Sequence, residues 1–458
     1  MTSQPELKQE AKENKMGVMP VNKLLISMSL PMMISMLVQA LYNVVDSAFV
    51  ARINENALTA VSLAFPVQNF MIAVASGTCV GVNALLSKSL GEKNQERADS
   101  TANNAIFLGF LNYVVFALFG IFGAELFFRS QTDVPEIVEY GKQYLNVCCI
   151  ISFGMFAQFT FERLLQATGK TFYTMITQGI GAIINIILDP IFIFGYFGIP
   201  KMGVTGAAVA TVIGQICAGL LALFFNLKVN HEIHISMKHF RPDRNTIKKI
   251  YDVGVPSIIM LSIASVMSFA INKILLRFST TAAAVFGVYF KLQSFIFMPV
   301  FGLNNGLVPI ISYNYGARKP DRIMKTLKLS ITYAIVIMAI GIVVFQVFPE
   351  QLLSVFNASE DMIKLGVPAL RIISISFIFA GFCIVSGSAF QALGKGFLSL
   401  SNSVIRQLVI LVPVAYLLSL SGNVHIVWWA FPIAEIASVT FTSIFLVHVY
   451  KKIIKPLA

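Results

Sequence analysis

Charged residues are scarce in this chain of 458 residues, at 12% of the total against 56% hydrophobic residues. About a quarter of a typical soluble domain is charged, so the composition excludes an ordinary soluble globular protein. Cysteine is also rare, and all five cysteines fall in hydrophobic segments: Cys79, Cys148, Cys149, Cys217 and Cys383. Because their spacing fits neither a disulfide framework nor a metal-ligand motif, we interpret them as packing residues.

Long apolar segments are abundant instead, and the mean hydropathy is +0.76. A helix needs about 20 apolar residues to cross about 30 Å of hydrocarbon. Twelve such segments lie near residues 24–50, 57–85, 101–125, 140–165, 172–196, 204–228, 251–276, 282–310, 327–348, 363–390, 398–420 and 426–449. The sequence therefore predicts an all-α integral membrane protein with twelve transmembrane helices.

The chain contains an internal repeat, since residue n keeps matching residue n + 225 without a gap. The matched pairs include Pro31 and Pro256, Gln68 and Gln293, Gly77 and Gly302, Gly81 and Gly306, Gly91 and Gly316, and Gly141 and Gly366. The string Q-x-x-G-K also occurs twice, at 166–170 and 391–395. Each copy has six spans, an even number, so we predict two parallel six-helix lobes, between which transporters bind their substrates.

The distribution of lysine and arginine predicts the orientation of the chain in the membrane. When the two residues at each end of a segment are counted with the adjoining connection, the two tails and the even-numbered connections hold 23 basic residues, and the odd-numbered connections hold five. We therefore expect a cytoplasmic tail at 1–22, an N-lobe at 23–229, a cytoplasmic linker at 230–249, a C-lobe at 250–450 and a cytoplasmic tail at 451–458. Basic loops beside anionic lipid account for the net charge of +12 without a nucleic-acid partner.

Two aspartates lie deep in apolar spans of the N-lobe. Asp46 in the first span and Asp189 in the fifth lie at nearly equal depth, roughly 9 Å below the outer boundary. Asn43 precedes Asp46 by three residues and Asn185 precedes Asp189 by four, so each acid shares a helix face with an amide. A carboxylate in hydrocarbon costs at least about 2.5 kcal/mol, which favours a functional role over a packing role for this pair.

Tyr144 in the fourth span and Thr211 in the sixth reach the same layer and can supply further oxygen ligands. The second copy lacks this polar set entirely. The residues 225 positions after Asp46, Tyr144, Asn185, Asp189 and Thr211 are apolar: Ile271, Ala369, Ile410, Val414 and Ile436. A polar set required by the fold would recur in both copies, so its asymmetry predicts a cation-coupling site confined to the N-lobe.

Other polar residues inside the spans are candidates for lining a cavity between the lobes: Gln39, Gln68, Lys273 and Gln293. The remaining intramembrane charges are interpreted as structural pairs or as side chains that reach the interface, and include Glu162, Arg163, Lys291, Arg371, Arg406 and Glu435. Pro31 and Pro256 occupy equivalent points in the first span of each lobe. We therefore expect Pro31 to have a conformational role.

Local strings resemble the multidrug and toxic compound extrusion (MATE) transporters, particularly their bacterial MepA-like branch. They are Asp46-Ser-Ala-Phe-Val-Ala-Arg52, Leu90-Gly-Glu-Lys-Asn94, Gln166-Ala-Thr-Gly-Lys-Thr171, Asp189-Pro-Ile-Phe-Ile-Phe-Gly195 and Gly203-Val-Thr-Gly-Ala-Ala-Val-Ala-Thr211. The resemblance covers all twelve spans. It implies a multidrug efflux antiporter that exports amphiphilic, often cationic compounds in exchange for protons or sodium.

The resemblance also implies that Asp46, Asn185 and Asp189, with Tyr144 and Thr211, form an N-lobe cation site, and that Pro31 allows the first span to bend. Some family members carry acids in spans seven, eight or ten, where this chain offers Asn272, Lys273 and Lys291. We therefore expect no cation site in the C-lobe.

The coupling ion is expected to be a proton, because two carboxylates in a low-dielectric pocket disfavour joint ionisation and one of them should stay protonated. Sodium bound by Asp46, Asn185 and Asp189 is the alternative, since these residues supply a shell of hard oxygen ligands.

Two other functions stay open on the sequence alone. A lipid-linked precursor flippase of the same superfamily would need a more basic cavity and often has extra spans. An intramembrane enzyme would need clustered aspartates, a Ser/His pair or a metal-binding His motif, whereas all five histidines lie in or near loops. We therefore expect a monomeric plasma-membrane transporter for drugs or toxic metabolites, with no enzymatic activity and no cofactor besides its coupling ion.

Overall fold

The computed structural model describes residues 13–51, 53, 55–236, 240–356 and 358–457, and within them the chain is helical without any strand. The first twelve residues of the predicted N-terminal tail, Arg52 and linker residues 237–239 lie outside this description. Ten helices are long and apolar enough to cross a membrane, and two bent helix pairs complete a set of twelve spans if each pair is counted as one. The predicted twelve-span, all-α fold is confirmed.

In the N-lobe a short helix precedes the spans. The helices are α1 (Lys15–Val18), α2 (Val21–Ala51), α3 (Glu55–Gly91), α4 (Gln95–Gln131), α5 (Pro135–Ile150), α6 (Phe153–Ala167), α7 (Thr171–Phe194) and α8 (Val204–Lys228). The fourth span consists of α5 and α6, which meet at an angle of 43°. The sequence had predicted one continuous segment there.

The C-lobe repeats this order. Its helices are α9 (Arg244–Leu275), α10 (Thr280–Gly316), α11 (Pro320–Val347), α12 (Pro349–Ser354), α13 (Glu360–Ser374), α14 (Phe377–Ala392), α15 (Gly396–Val404), a π-helical segment (Ile405–Leu411), α16 (Val412–Ser419), α17 (Val424–Val427) and α18 (Ala430–Val449). Its fourth span is also broken, with α13 and α14 at 49°. The chain then continues as a π-helical turn (Tyr450–Ile454) and a 3₁₀ turn (Lys455–Leu457).

The repeated Q-x-x-G-K strings are the tight turns that follow each broken span. Gly169 has φ +87° and Gly394 has φ +76°. A side chain on either residue would be strained in this left-handed conformation, so glycine recurs at both positions. The next helix begins directly after each turn, α7 at Thr171 and α15 at Gly396.

The lobes meet along a seam of glycines related by an approximate two-fold axis. A Cβ atom on Gly77 would come within 2.7 Å of the backbone nitrogen of Ile258, and one on Gly302 would come within 2.6 Å of that of Met33. Ile258 is the repeat equivalent of Met33, so the two contacts are symmetric.

Two further pairs extend this seam. Gly91 faces the carbonyl of Tyr313 and Gly316 faces the carbonyl of Lys88, in each case too closely for a side chain. Gly81 and Gly306 make equivalent contacts against α9 and α2. Glycine is therefore repeated at these sites because the helix backbones touch there.

The seam occupies one half of the bundle, on the side where each lobe begins and ends. We call this side the terminal face. Residues 13–19, the strap, bridge the lobes across it: Asn14 donates to the carbonyl of Thr168 at 3.2 Å, and Arg322 donates to the carbonyls of Met16 at 3.0 Å and Met19 at 2.8 Å. The lobes are thus closed against each other at the terminal face.

Candidate functional site

The two aspartates predicted to converge lie on neighbouring helices, Asp46 on α2 and Asp189 on α7. Their carboxyl groups lie close enough to interact directly with each other. The Asp189 side chain is fully buried, with 0% of its surface exposed, and Asp46 is partly buried. Two carboxyl groups so placed avoid repulsion when they share a proton or a cation.

Asn185 connects this pair to a third helix. It lies one turn before Asp189 on α7, and its Nδ2 atom donates to Asp189 Oδ1 at 3.4 Å and to Thr211 Oγ1 at 3.2 Å. A Cβ atom on Gly214 of α8 would lie 3.3 Å from Asn185 Cβ and 2.7 Å from the carbonyl oxygen of Gly181. The absence of a side chain at Gly214 therefore lets α7 and α8 approach closely enough for Asn185 to reach Thr211.

Three oxygen atoms of this group have no hydrogen-bond partner among the described residues, although they are buried. They are Asp46 Oδ1, Asn185 Oδ1 and Asp189 Oδ2. Buried acceptors without partners are costly, so the arrangement is incomplete without a proton, a water molecule or a cation. Hard oxygen atoms of this kind suit H⁺ and Na⁺ alike.

Tyr144 lies near Asp46 but its hydroxyl is engaged elsewhere. Gln68 on α3 donates from Nε2 to Tyr144 Oη at 3.1 Å and to Cys148 Sγ at 3.6 Å. Gln68 thus links α3 to Tyr144 and Cys148 on α5. Tyr144 makes no hydrogen bond to either aspartate among the described contacts.

Tyr42 is a neighbour of the site that the sequence analysis missed. It lies close to both Asp46 and Asp189, one helical turn before Asp46 on α2. This i−4 spacing is the same signal that selected Asn185 beside Asp189. An aromatic residue in an apolar span is usually read as a packing residue, which hid the signal.

A cavity of about 690 Å³ lies between the lobes. Tyr42, Asn43, Asn185 and Thr211 contribute to its wall, as do the candidates Gln39 and Gln293. Among the described lining residues the two aspartates do not appear, so they are set behind this wall. Asn185, Thr211 and Tyr42 belong to the part of the wall that lies nearest the acids.

Three other predicted residues lie outside this cavity wall. Gln68 faces Tyr144, and Lys273 is exposed on α9 with its Nζ atom 5.7 Å from the ring centre of Phe269. Pro31 lies inside the continuous helix α2, two positions before Met33 in the glycine seam. Pro31 therefore lies close to the contact between the lobes.

Each lobe contributes one acidic and one basic residue to the cavity wall. Glu162 accepts hydrogen bonds from Gln158 at 3.0 Å, Thr177 at 2.9 Å and Gln178 at 2.7 Å, beside Arg163. In the C-lobe, Arg406 Nη1 donates to Glu435 Oε1 at 2.8 Å. All four charged residues line the cavity.

Comparison with known families and structures identifies this architecture. The MatE family model matches residues 31–191 and again residues 256–417. The chain belongs to the MatE family. The two matches start 225 residues apart, as the internal repeat requires, and the predicted membership in the MATE transporters is confirmed.

Relatives in this family cover nearly the whole chain. The Multidrug export protein MepA of Staphylococcus haemolyticus is 26% identical over 427 residues, 93% of each chain. The Probable multidrug resistance protein YoeA of Bacillus subtilis is 27% identical over 439 residues, 93% of this chain and 94% of its own. An outward-facing structure of a multidrug resistance MATE transporter superposes with a TM-score of 0.90 at 25% identity, over 96% of this chain and 99% of that one.

Proposed function

We propose that this protein is a secondary active multidrug efflux antiporter that exports amphiphilic, cationic compounds in exchange for protons. The observation that carries the proposal is the pairing of Asp46 and Asp189, with unpartnered buried oxygens, directly behind Asn185 in the wall of the inter-lobe cavity. The printed names of the relatives, a multidrug export protein and a probable multidrug resistance protein, support drugs as substrates.

The proton is favoured because the two carboxyl groups lie close enough to interact directly with each other. Two ionised carboxylates at that separation would repel each other in a low-dielectric site, and one bound proton removes the repulsion. Sodium is the second candidate, favoured by the unpartnered Oδ1 atom of Asn185. An amide oxygen is a good ligand for sodium, whereas proton binding by the carboxyl pair leaves it unused.

Coupling of this kind supplies enough energy for export. A monovalent ion that enters as the drug leaves gains about 2.3 kcal/mol per 100 mV of membrane potential. This corresponds to a roughly fiftyfold gradient of a neutral drug. A cationic drug exchanged one for one would gain nothing from the potential, and would need the ion's concentration gradient or a second ion.

The coupling ion can be tested in inverted vesicles at zero membrane potential. We expect a pH gradient alone, acidic inside, to drive uptake of a fluorescent cationic drug in the absence of sodium. Uptake driven by a sodium gradient alone at matched pH, without a response to the pH gradient, would show that sodium is the coupling ion.

We further propose that the protein lies in the plasma membrane with both termini and the linker in the cytoplasm, because the terminal face carries the excess of basic residues. Ser236 belongs to the described part of the linker, where its backbone N–H donates to Asn103 Oδ1 at 3.0 Å. A cysteine placed at Ser236 should react with an impermeant thiol reagent only from the inside. Labelling from outside intact cells would contradict this orientation.

A further inference from the structure

Arg406 and Glu435 form an ion pair in the interior of the C-lobe. Arg406 lies in the π-helical segment Ile405–Leu411, Glu435 lies on α18, and both line the inter-lobe cavity. Their side chains are 21% and 12% exposed. The pair is therefore largely desolvated, yet it is open to a molecule inside the cavity.

The pair leaves hydrogen-bonding capacity unused. Glu435 Oε1 accepts from Arg406 Nη1, whereas Glu435 Oε2 is buried and has no partner among the described residues. The guanidinium group carries five N–H donors, and only Nη1 makes a hydrogen bond within the described part of the chain. An ion pair that served only to join two helices would be expected to satisfy a buried carboxylate more fully.

Two aromatic residues share the cavity wall with Glu435. Phe431 lies one turn before Glu435 on α18, and its ring centre is 6.0 Å from that of Tyr289 in a T-shaped arrangement. Tyr289 and Phe431 both line the cavity. Aromatic faces beside a carboxylate form a good environment for an organic ammonium group.

The fold does not require this pair. Its equivalents 225 residues earlier are Gly181 and Ala210, so the N-lobe packs the same two helices with small residues. The N-lobe helix α7 is also regular α-helix where the C-lobe has its π-helical segment. Segments of π-helix occur frequently at functional sites, and here the segment carries Arg406.

The formal charges of the cavity wall sum to zero. Among the described lining residues the charged ones are Glu162, Arg163, Arg406 and Glu435. A lone cation beside Glu435 would be repelled by Arg406, and a lone anion beside Arg406 would be repelled by Glu435. A molecule with an ammonium group and a carboxylate can complement both members of the pair.

We propose that Arg406 and Glu435 form a substrate subsite in the C-lobe that binds the head group of zwitterionic amphiphiles, with the amine on Glu435 and the carboxylate on Arg406. The inference rests on the proposed export function, because it takes the cavity to be the substrate site. It adds a second polar centre to the cavity, separate from the proposed coupling site in the N-lobe.

The test measures binding of two fluorescent dyes to the purified protein by fluorescence anisotropy, without any ion gradient. Rhodamine 110 carries an amine-bearing cationic ring system and a free carboxylate, and rhodamine 123 is its methyl ester and lacks the anion. We expect Arg406→Gln to weaken the binding of rhodamine 110 more than that of rhodamine 123. Glu435→Gln should weaken the binding of rhodamine 123 more than that of rhodamine 110. Each change in the affinity ratio should be about tenfold, as expected for charged hydrogen bonds.

The opposite direction of the two shifts separates binding from a structural effect. If the ion pair only joins the helices, the two variants will change both dyes equally or not at all, and the proposal is wrong. The double variant Arg406→Gln/Glu435→Gln avoids an unpaired buried charge and should bind both dyes with no preference if the proposal holds. An unchanged preference in this double variant would also overturn it.

Two controls complete the experiment. Asp361→Asn and Lys364→Gln alter an exposed ion pair of the same lobe, with side chains 84% and 73% exposed, and should leave the affinity ratio unchanged. Asp189→Asn should keep the dye preference while it abolishes proton-driven transport. If Asp189→Asn keeps proton-driven transport, the proposed coupling site is wrong. The dye-binding result still tests the proposed Arg406–Glu435 subsite independently.

Discussion

The N-lobe and the C-lobe place polar groups at different points of the same helical frame. In the C-lobe the equivalents of the two paired acids are apolar, Ile271 and Val414. In the N-lobe the equivalents of the Arg406–Glu435 pair are small and apolar, Gly181 and Ala210. Each lobe therefore folds without the polar centre of the other.

Features that both lobes share serve the fold. The glycine seam recurs because helix backbones touch across the lobe boundary, and the left-handed glycines recur because tight turns need them. The duplicated glycines thus mark structural requirements, and charged residues present in one lobe alone mark candidates for function. The following predictions test this distinction, beginning with the largest expected effect.

The acid pair should tolerate no neutral replacement. We expect Asp46→Asn and Asp189→Asn each to reduce drug efflux to the level of cells without the transporter, because neither amide can exchange a proton. Efflux of a fluorescent drug at matched expression is the measurement. The equivalent C-lobe changes Ile271→Thr and Val414→Thr should leave the ion dependence of transport unchanged.

Wild-type drug efflux in either aspartate variant would show that the acid pair, although confined to the N-lobe, is not needed for transport. A second ion dependence that appears in Ile271→Thr or Val414→Thr would show that the C-lobe is also able to couple.

A side chain introduced into the glycine seam should destabilise the closed terminal face, whichever lobe carries it. In Gly306→Leu the new side chain would overlap Ser29 of α2, and overpacking costs about 1–3 kcal/mol. We expect the equilibrium between the closed and the open terminal face to shift by roughly fivefold to a hundredfold towards the open state. The distance between spin labels at Glu96→Cys and Asp321→Cys, with the native cysteines replaced by alanine, should increase.

Gly287→Leu is the matched control on the same helix. A Cβ atom at Gly287 meets nothing within 4 Å, so this variant should leave the label distances unchanged. Gly81→Leu should shift the equilibrium as Gly306→Leu does, because the two glycines are repeat equivalents. A shift in only one of these two variants would show that the two equivalent glycines contribute unequally to closure of the terminal face.

The strap across the terminal face should have a smaller effect. Arg322→Gln removes the charged hydrogen bonds to the carbonyls of Met16 and Met19. We expect a shift of about threefold towards the open terminal face, measured with the same two labels, because these hydrogen bonds are only partly buried and water can replace them. Lys325→Gln, an exposed change on the same helix, serves as control, and an equal shift in both variants would exclude a specific role for the strap.

Much of the fold followed from local properties of the sequence. Long apolar runs predicted the spans because lipid offers no hydrogen bonds to an open backbone, and the offset of 225 predicted the two lobes. The breaks near residues 151 and 375 were not predicted, since no proline lies at either break and the serines found there, Ser152 and Ser376, are a weak signal. The π-helical segment at Ile405–Leu411 was equally hidden, because its hydrogen-bonding pattern depends on the neighbouring helices.

The sequence by itself determined the membrane class, the duplication and the two acids at equal depth, because hydropathy, spacing and helical rise are properties of the chain alone. Tertiary structure decided which side chains share the space between helices. It placed Tyr42 beside the acids, engaged Tyr144 with Gln68, and directed Arg406 and Glu435 into the cavity. Such choices depend on the rotation and separation of packed helices, which arise from contacts between residues far apart in the chain.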